Sequence, residues 1–329
     1  MTQPTRRLSR SARRLRSVVA LVAVTAVTAV ACASPETHTP PDIEVPQPIP
    51  NGADFEPELG EPQDDGDDCD ARESFSPDTD MTAGDARSTL LRDDTLTVGV
   101  DQTTYLMGFR DPFSGQLEGF DIEIARAIAS DVMGDSSRIN FVTMSSEERE
   151  SSLENGEVDM VVRTMTMNCD RWDRVNFSSE YLNAGQQLLV TTESEIESID
   201  DLTDEHHICS SPGSTSIDRI GQTDAQAVSA TDWGDCMVMV QQGMVDGITT
   251  DNTILAGMAI QDPYLEVVGD QFSEEPYGIA IAQDNEDLVR YVNGILEDMR
   301  ENGTWDDLYD EWLADELGSA DAPEPEYRD

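Results

Sequence analysis

The chain has 329 residues and is strongly acidic: 68 Asp and Glu face 20 basic residues, every one of them arginine, for a formal charge of −48. A nucleic-acid partner needs a basic footprint and an anionic membrane surface needs a polybasic patch, so this balance argues against both. The acidic excess reads instead as a solvated surface, of the kind that suits a saline habitat.

The first element is a targeting segment. Residues 1–16 carry six arginines and no acid, and residues 18–31 (VVALVAVTAVTAVA) are an unbroken small and apolar run. That run is too short to span a bilayer comfortably and has the form of a secretory signal. It ends at Ala29-Val30-Ala31-Cys32, which resembles the bacterial lipobox, with Ala29 where leucine is usual. The resemblance implies cleavage after residue 31 and lipidation of Cys32; an ordinary cleaved signal is the alternative. Arg13-Arg14 leaves the export route open between the general and the twin-arginine pathways. Without residues 1–31 the chain carries 14 basic and 68 acidic residues, a charge of −54.

Residues 33–88 hold nine of the 16 prolines, many acids and few large apolar side chains. Such a segment cannot bury enough surface to offset its ordering entropy. This predicts a tether over 32–93, with Cys69 pinning its end to the folded part. Beyond Cys32, four cysteines remain: Cys69, Cys169, Cys209 and Cys236. An even number in an exported chain predicts two disulfides, in one of three pairings. No CxxC spacing occurs and there are only three histidines, so neither a metal nor another cofactor is expected.

From residue 94 the pattern changes. Leu96–Val100 reads as a short buried strand, and 120–132 has helical apolar spacing at Ile124, Ile128 and Val132. A strand over 139–143, a helix over 147–155 closing at Gly156, and a strand over 159–163 follow. The rhythm resumes with a strand at 207–210, then the turn Pro212-Gly213-Ser214-Thr215-Ser216 into a helix. Next come a strand at 227–230, a helix at 235–242, a strand at 246–250 and a helix at 253–260. A strand at 277–282 and helices near 286–300 and 304–316 complete the series, and the acidic tail 319–329 is expected to fray. Alternating strands and helices predict α/β architecture, and about 225 globular residues suit two lobes better than one.

These runs carry a resemblance. LTVGV, GFDIEIARAIA, ENGEVDMVVRTMTMNCDRW and FSSEY, followed in order by SSPGSTS, QQGMVDGITTDNTILAG, VVGDQFSEEPYGIAI and NGTWDDLYDEWL, resemble the extracellular solute-binding proteins (family 3) of polar amino-acid ABC transporters. CDRW, the second cysteine pair and EEPYG are most similar to glutamate- and glutamine-binding lipoproteins of actinobacterial type. The likeness covers roughly 94–315. It implies a type II periplasmic-binding-protein-like fold, two α/β lobes joined by two crossover strands: lobe 1 over 94–188 and 277–318, lobe 2 over 189–276. That layout favours Cys209–Cys236 within lobe 2 and Cys69–Cys169 between the tether and lobe 1, because a bond between lobes would obstruct closure.

The resemblance also implies a site. A free amino acid presents a carboxylate, which suits an arginine fork, and an ammonium, which suits a carboxylate. Arg171, seven residues after Thr164 in TMTMNCDR, falls at the family's carboxylate-binding arginine, Thr166 donates to the same group, and Thr164 is a further candidate for ligand contact. Asp251, at the end of the strand GITTD, falls at the ammonium ligand; standing alone it would read as a helix cap. Ser214 and Thr215 lie in the lobe 2 turn that closes on the carboxylate. Asp101 either contacts the ligand or shapes its loop. Arg110 and Arg163 are the candidates for an acidic side chain, with Tyr105 near the first. The expected protein is a monomeric, lipid-anchored receptor on the outer face of the cell membrane. It captures glutamate, glutamine, aspartate or asparagine by lobe closure and delivers it to a permease. A membrane sensor is the alternative partner, and an enzyme on the same fold, using a carboxylate such as Asp101 or Glu180, the remote rival. No Walker motif occurs, so ATP hydrolysis would lie with another subunit.

Overall fold

The computed structural model describes residues 48–60 and 69–328; the signal segment and Cys32 lie outside the described residues. Two five-stranded sheets form the two lobes. In lobe 1 the order is Ile139–Thr143, Leu96–Val100, Met160–Val161, Ala280–Ala282, Val175–Phe177, parallel across the first three and antiparallel thereafter. In lobe 2 it is Gln226–Ser229, His207–Ser210, Gly247–Asp251, Gln186–Thr191, Leu265–Val268, with the same division. Leu182–Ala184 and Glu275–Tyr277 pair antiparallel and carry the chain between the lobes.

The apolar periodicity explains which faces are buried. The helix Phe120–Met133 puts Phe120, Ile124, Ile128 and Val132 into the lobe 1 core. It starts at Gly119, whose φ of 125° only glycine adopts readily and where a Cβ would stand 2.3 Å from the Met107 carbonyl oxygen. Glu286–Asn302 closes the other side with Leu288, Val292, Leu296 and Met299. Lobe 2 has its own core around Leu189, Val228, Met239, Ile248 and Leu255. Both disulfides are present as Cys69–Cys169 and Cys209–Cys236.

Three expectations need correction. The run 277–282 is not one strand: Glu275–Tyr277 and Ala280–Ala282 belong to different sheets. Gly278 lies between them, close to Met167 and Phe177. The strand expected over 159–163 ends at Val161, because the chain turns through Thr164, a non-glycine residue at φ 40°. The segment read as tether also contributes structure. Asp54 bridges to Ser229 on the edge of the lobe 2 sheet, and Ala83–Ser88 is a capped helix. Glu73–Ser74 pairs in parallel with Glu326–Tyr327, so the tail expected to fray is held by the segment that follows Cys69. Proline and acid content reports low local propensity; it does not register pairing with a strand some 250 residues away.

Candidate functional site

The site is built where the turn after Met160–Val161 meets the lobe 2 turn Gly213–Thr215. Asn168 caps a single helical turn, Cys169–Trp172, by accepting the Arg171 amide at 2.9 Å. Arg171 is buried. Its Nη1 donates to the Thr166 carbonyl (2.6 Å), its Nη2 to the Gly213 carbonyl across the cleft (3.1 Å), and its Nε lies 3.3 Å from Glu150.

A second buried guanidinium lies beside it. Arg149, at the start of the helix Arg149–Glu154, donates through Nη2 to the same Gly213 carbonyl at 2.9 Å. It also donates to the Ser146 and Thr164 carbonyls at 2.8 and 3.2 Å. Burial, with the positive charges of Arg171 and Arg163, pushes it well below the ordinary arginine range. Sequence reasoning missed Arg149: it stands in an unremarkable acidic stretch, SSEERESS, and no local pattern distinguishes it.

Asp251 ends its strand in a buried position. Its Oδ2 accepts the Tyr277 hydroxyl at 2.6 Å, while its Oδ1 has no hydrogen-bond partner among the described residues. Burial and the nearby Glu275 push its carboxyl up to about 8. Thr164, Thr166, Ser214, Thr215, Arg149, Arg171 and Asp251 all line one small cavity between the lobes. Trp233, whose buried Nε1 also lacks a partner among the described residues, lines it too. The room left is about that of one water molecule. Ser214 has a structural task as well, accepting the Ile217 amide at 3.2 Å.

Glu275, on the return crossover strand, was also missed. Its Oε2 accepts Thr166 of lobe 1 (2.7 Å) and Thr215 of lobe 2 (2.8 Å), and its Oε1 accepts Gln186 and Ser273, each at 2.7 Å. One carboxylate thus gathers two of the three threonines expected to meet the ligand. EEPYG carried the resemblance, but a glutamate beside a proline gave no hint of that position.

The remaining candidates sit elsewhere. Arg163 is buried and fully engaged: Nη2 pairs with Asp101 at 2.8 Å, and Nε and Nη1 donate to the Met144 carbonyl and Ser146 hydroxyl. Asp101 accepts in turn from the Gln102 and Thr103 amides and the Thr104 hydroxyl, so it shapes its loop and does not line the cavity. Arg110 is exposed and bonds Gln102 and the Gly115 carbonyl, away from the cavity. Tyr105 packs edge-on against Phe109, and its carbonyl faces Gly257 of lobe 2. Glu180 is buried near Arg72, outside the cavity.

Two α/β lobes joined by paired crossover strands, with charged side chains of both meeting in a buried cavity, define a two-lobed solute receptor of the type II periplasmic-binding-protein-like class. The family described as "Bacterial extracellular solute-binding proteins, family 3" matches residues 96–315, and the chain belongs to it. The chain is 35% identical over 234 residues to the ABC transporter glutamine-binding protein GlnH of Bacillus subtilis, covering 70% of this chain and 86% of that one. It is 31% identical over 250 residues to the glutamate-binding protein GluB of Corynebacterium glutamicum, covering 72% and 84%. Among solved structures, an ancestral arginine-binding protein bound to glutamine superposes with a TM-score of 0.62 at 32% identity, covering 69% and 99%. Among the described residues no helix is long and apolar enough to cross a membrane.

Proposed function

We propose that this chain captures L-glutamate, or its neighbours glutamine, aspartate and asparagine, by closure of the two lobes. It then delivers the ligand to the permease of an ABC importer. The observation that carries this reading is the pair of buried guanidiniums, Arg149 and Arg171, converging on one cavity that also presents the Asp251 carboxyl. Arg171 takes the α-carboxylate with Thr166, Ser214 and Thr215, and Asp251 takes the ammonium through its unpartnered Oδ1. Arg149 then supplies the second positive charge that a dicarboxylic amino acid needs, because an unpaired charge in a dry cavity is costly. The names of the relatives, glutamine- and glutamate-binding proteins of transporters, support the ligand class and a role as binder rather than enzyme. His206 precedes and His207 starts the lobe 2 strand His207–Ser210, and neither lines the cavity.

Lipidation of Cys32 would hold the receptor at the outer face of the membrane, with the chain ahead of residue 48 as tether. A sensor protein could read the same loaded form, and co-purification in detergent separates the two partners. The deciding experiment is a calorimetric screen of the twenty amino acids. Glutamate or one of its three neighbours should bind tightest, and Arg171→Ala should weaken that binding by well over about tenfold, because it leaves a carboxylate buried without its charged partner. Arginine or lysine binding tighter than all four would sink the reading.

A further inference from the structure

The single helical turn that carries Arg171 is too short to hold itself in place, since four residues fall far below the length at which a helix is stable alone. Besides the Asn168 cap and the bonds of Arg171 itself, it is held by a segment of chain from outside the family-matched region. Cys169, the first residue of the turn, is bonded to Cys69. Trp172, its last, donates through Nε1 to the Ala71 carbonyl at 2.8 Å. Arg72, the next residue of that segment, donates to Glu274 at 2.8 Å and lies 3.6 Å from Glu180. Glu274 adjoins Glu275, the carboxylate that holds Thr166 and Thr215. Residues 69–72 therefore connect the Arg171 turn directly to the return crossover strand.

The segment is itself braced. Glu73–Ser74 pairs with Glu326–Tyr327, and the Ser74 hydroxyl donates to the Phe177 carbonyl at 2.7 Å. The Arg328 guanidinium lies 4.1 Å from the centre of the Trp172 ring and hydrogen-bonds the Glu73 carbonyl. Residues 69–74 and 326–328 thus meet behind the turn. A bond serving only to fasten a tether could join the lobe anywhere on its surface, whereas this one joins it two residues from Arg171.

We infer that residues 69–72 form a positioning clamp that sets Arg171 against the cavity and fixes the turn's distance from the crossover strand. The inference rests on the reading of Arg171 as carboxylate ligand. It assigns Cys69, Cys169, Trp172 and Arg72 a part in affinity without contact with the amino acid.

The test is a double-mutant cycle on the full exported chain, read by glutamate calorimetry. Arg72→Gln and the pair Cys69→Ser/Cys169→Ser are each made in the native and the Arg171→Lys backgrounds. The clamp predicts about a fivefold or greater loss of affinity in the native background and less than about twofold once Arg171 is already replaced. A loss of the same factor in both backgrounds, or unchanged affinity with only a lowered melting temperature, overturns the inference. Should the serine pair fail to fold, Arg72→Gln carries the cycle alone. Amide hydrogen exchange without ligand gives a second readout. Exchange at residues 169–172 should accelerate in the variants while the lobe 2 strands keep their protection. If the native chain binds none of glutamate, glutamine, aspartate and asparagine, the reading of the site fails and exchange alone decides: unchanged exchange at the turn then overturns the clamp.

Discussion

Arg149 and Arg171 bond the same carbonyl oxygen, that of Gly213, from adjacent positions. Burial, and after it the repulsion between guanidiniums so close, holds Arg149 well below the usual arginine range. An anionic ligand relieves that repulsion, and a dianionic one relieves it most. Arg149→Gln should therefore weaken glutamate by about tenfold or more and glutamine much less, as competition calorimetry would show; equal losses would remove Arg149 from side-chain recognition. Asp251 gives a prediction with a sign. Its carboxyl, raised to about 8, must be ionised to hold an ammonium. Between pH 6 and 8 binding should release protons and affinity should climb with pH, by at most about tenfold per unit. Titrations in buffers of different ionisation heat measure the release; affinity flat over that window would place the ammonium elsewhere. At this scale the sequence was legible where a residue ended a strand or opened a turn in a recognisable run, as for Thr164, Thr166, Arg171, Ser214, Thr215 and Asp251, which all line one cavity. Arg110 shows the limit. A place in a loop of the family pattern says nothing about which way the side chain faces, and this one, at the end of the strand Gly108–Arg110, faces solvent.

Among elements, the lobe-to-lobe contacts depend on glycine in lobe 2. A Cβ on Gly213 would stand 2.8 Å from the Glu147 Cα, and one on Gly257 would stand 2.3 Å from the Tyr105 carbonyl oxygen. Gly213 also has φ +73°, so alanine there would be strained regardless of space. Gly257 is the cleaner probe, since the middle of the helix Asn252–Gln261 tolerates alanine locally and even prefers it. Gly257→Ala should hold the lobes apart, lower amino-acid affinity several-fold and enlarge the radius of gyration in small-angle scattering, with helix content unchanged. A variant that binds like the native chain would mean that the lobes can close without this approach. The alternation of strands and helices made both lobes readable from sequence, because each element buries its own periodic face. The clasp of Glu73–Ser74 with Glu326–Tyr327 was not readable, since two-residue strands carry no period and their pairing depends on the finished fold.

For the whole molecule, the surface and the interior make the same demand on pH. Burial pushes Asp121 up to about 7 although it accepts the Tyr181 hydroxyl and the Thr164 amide, and burial raises Glu180 to about 7 as well. Asp251 stands higher, at about 8. In the unfolded chain these groups titrate near about 4, so between roughly pH 4 and 8 the folded state holds the more protons. Stability supplied by these protonated carboxyls is complete below the unfolded value and is lost as pH rises through 7 to 8. The acidic surface, −54 without residues 1–31, adds self-repulsion that grows in the same direction. Salt separates the two contributions. Exposed charges are screened over about 8–10 Å at physiological ionic strength, while buried groups are screened far less. The melting temperature should therefore be higher at mildly acid pH than at pH 8. About 1 M sodium chloride should narrow the difference without abolishing it. Asp121→Asn should reduce the part that persists in salt, since asparagine has no proton to lose. A pH dependence that vanished completely in salt would assign all of it to the surface and would mean that the buried carboxyls ionise as freely as exposed ones.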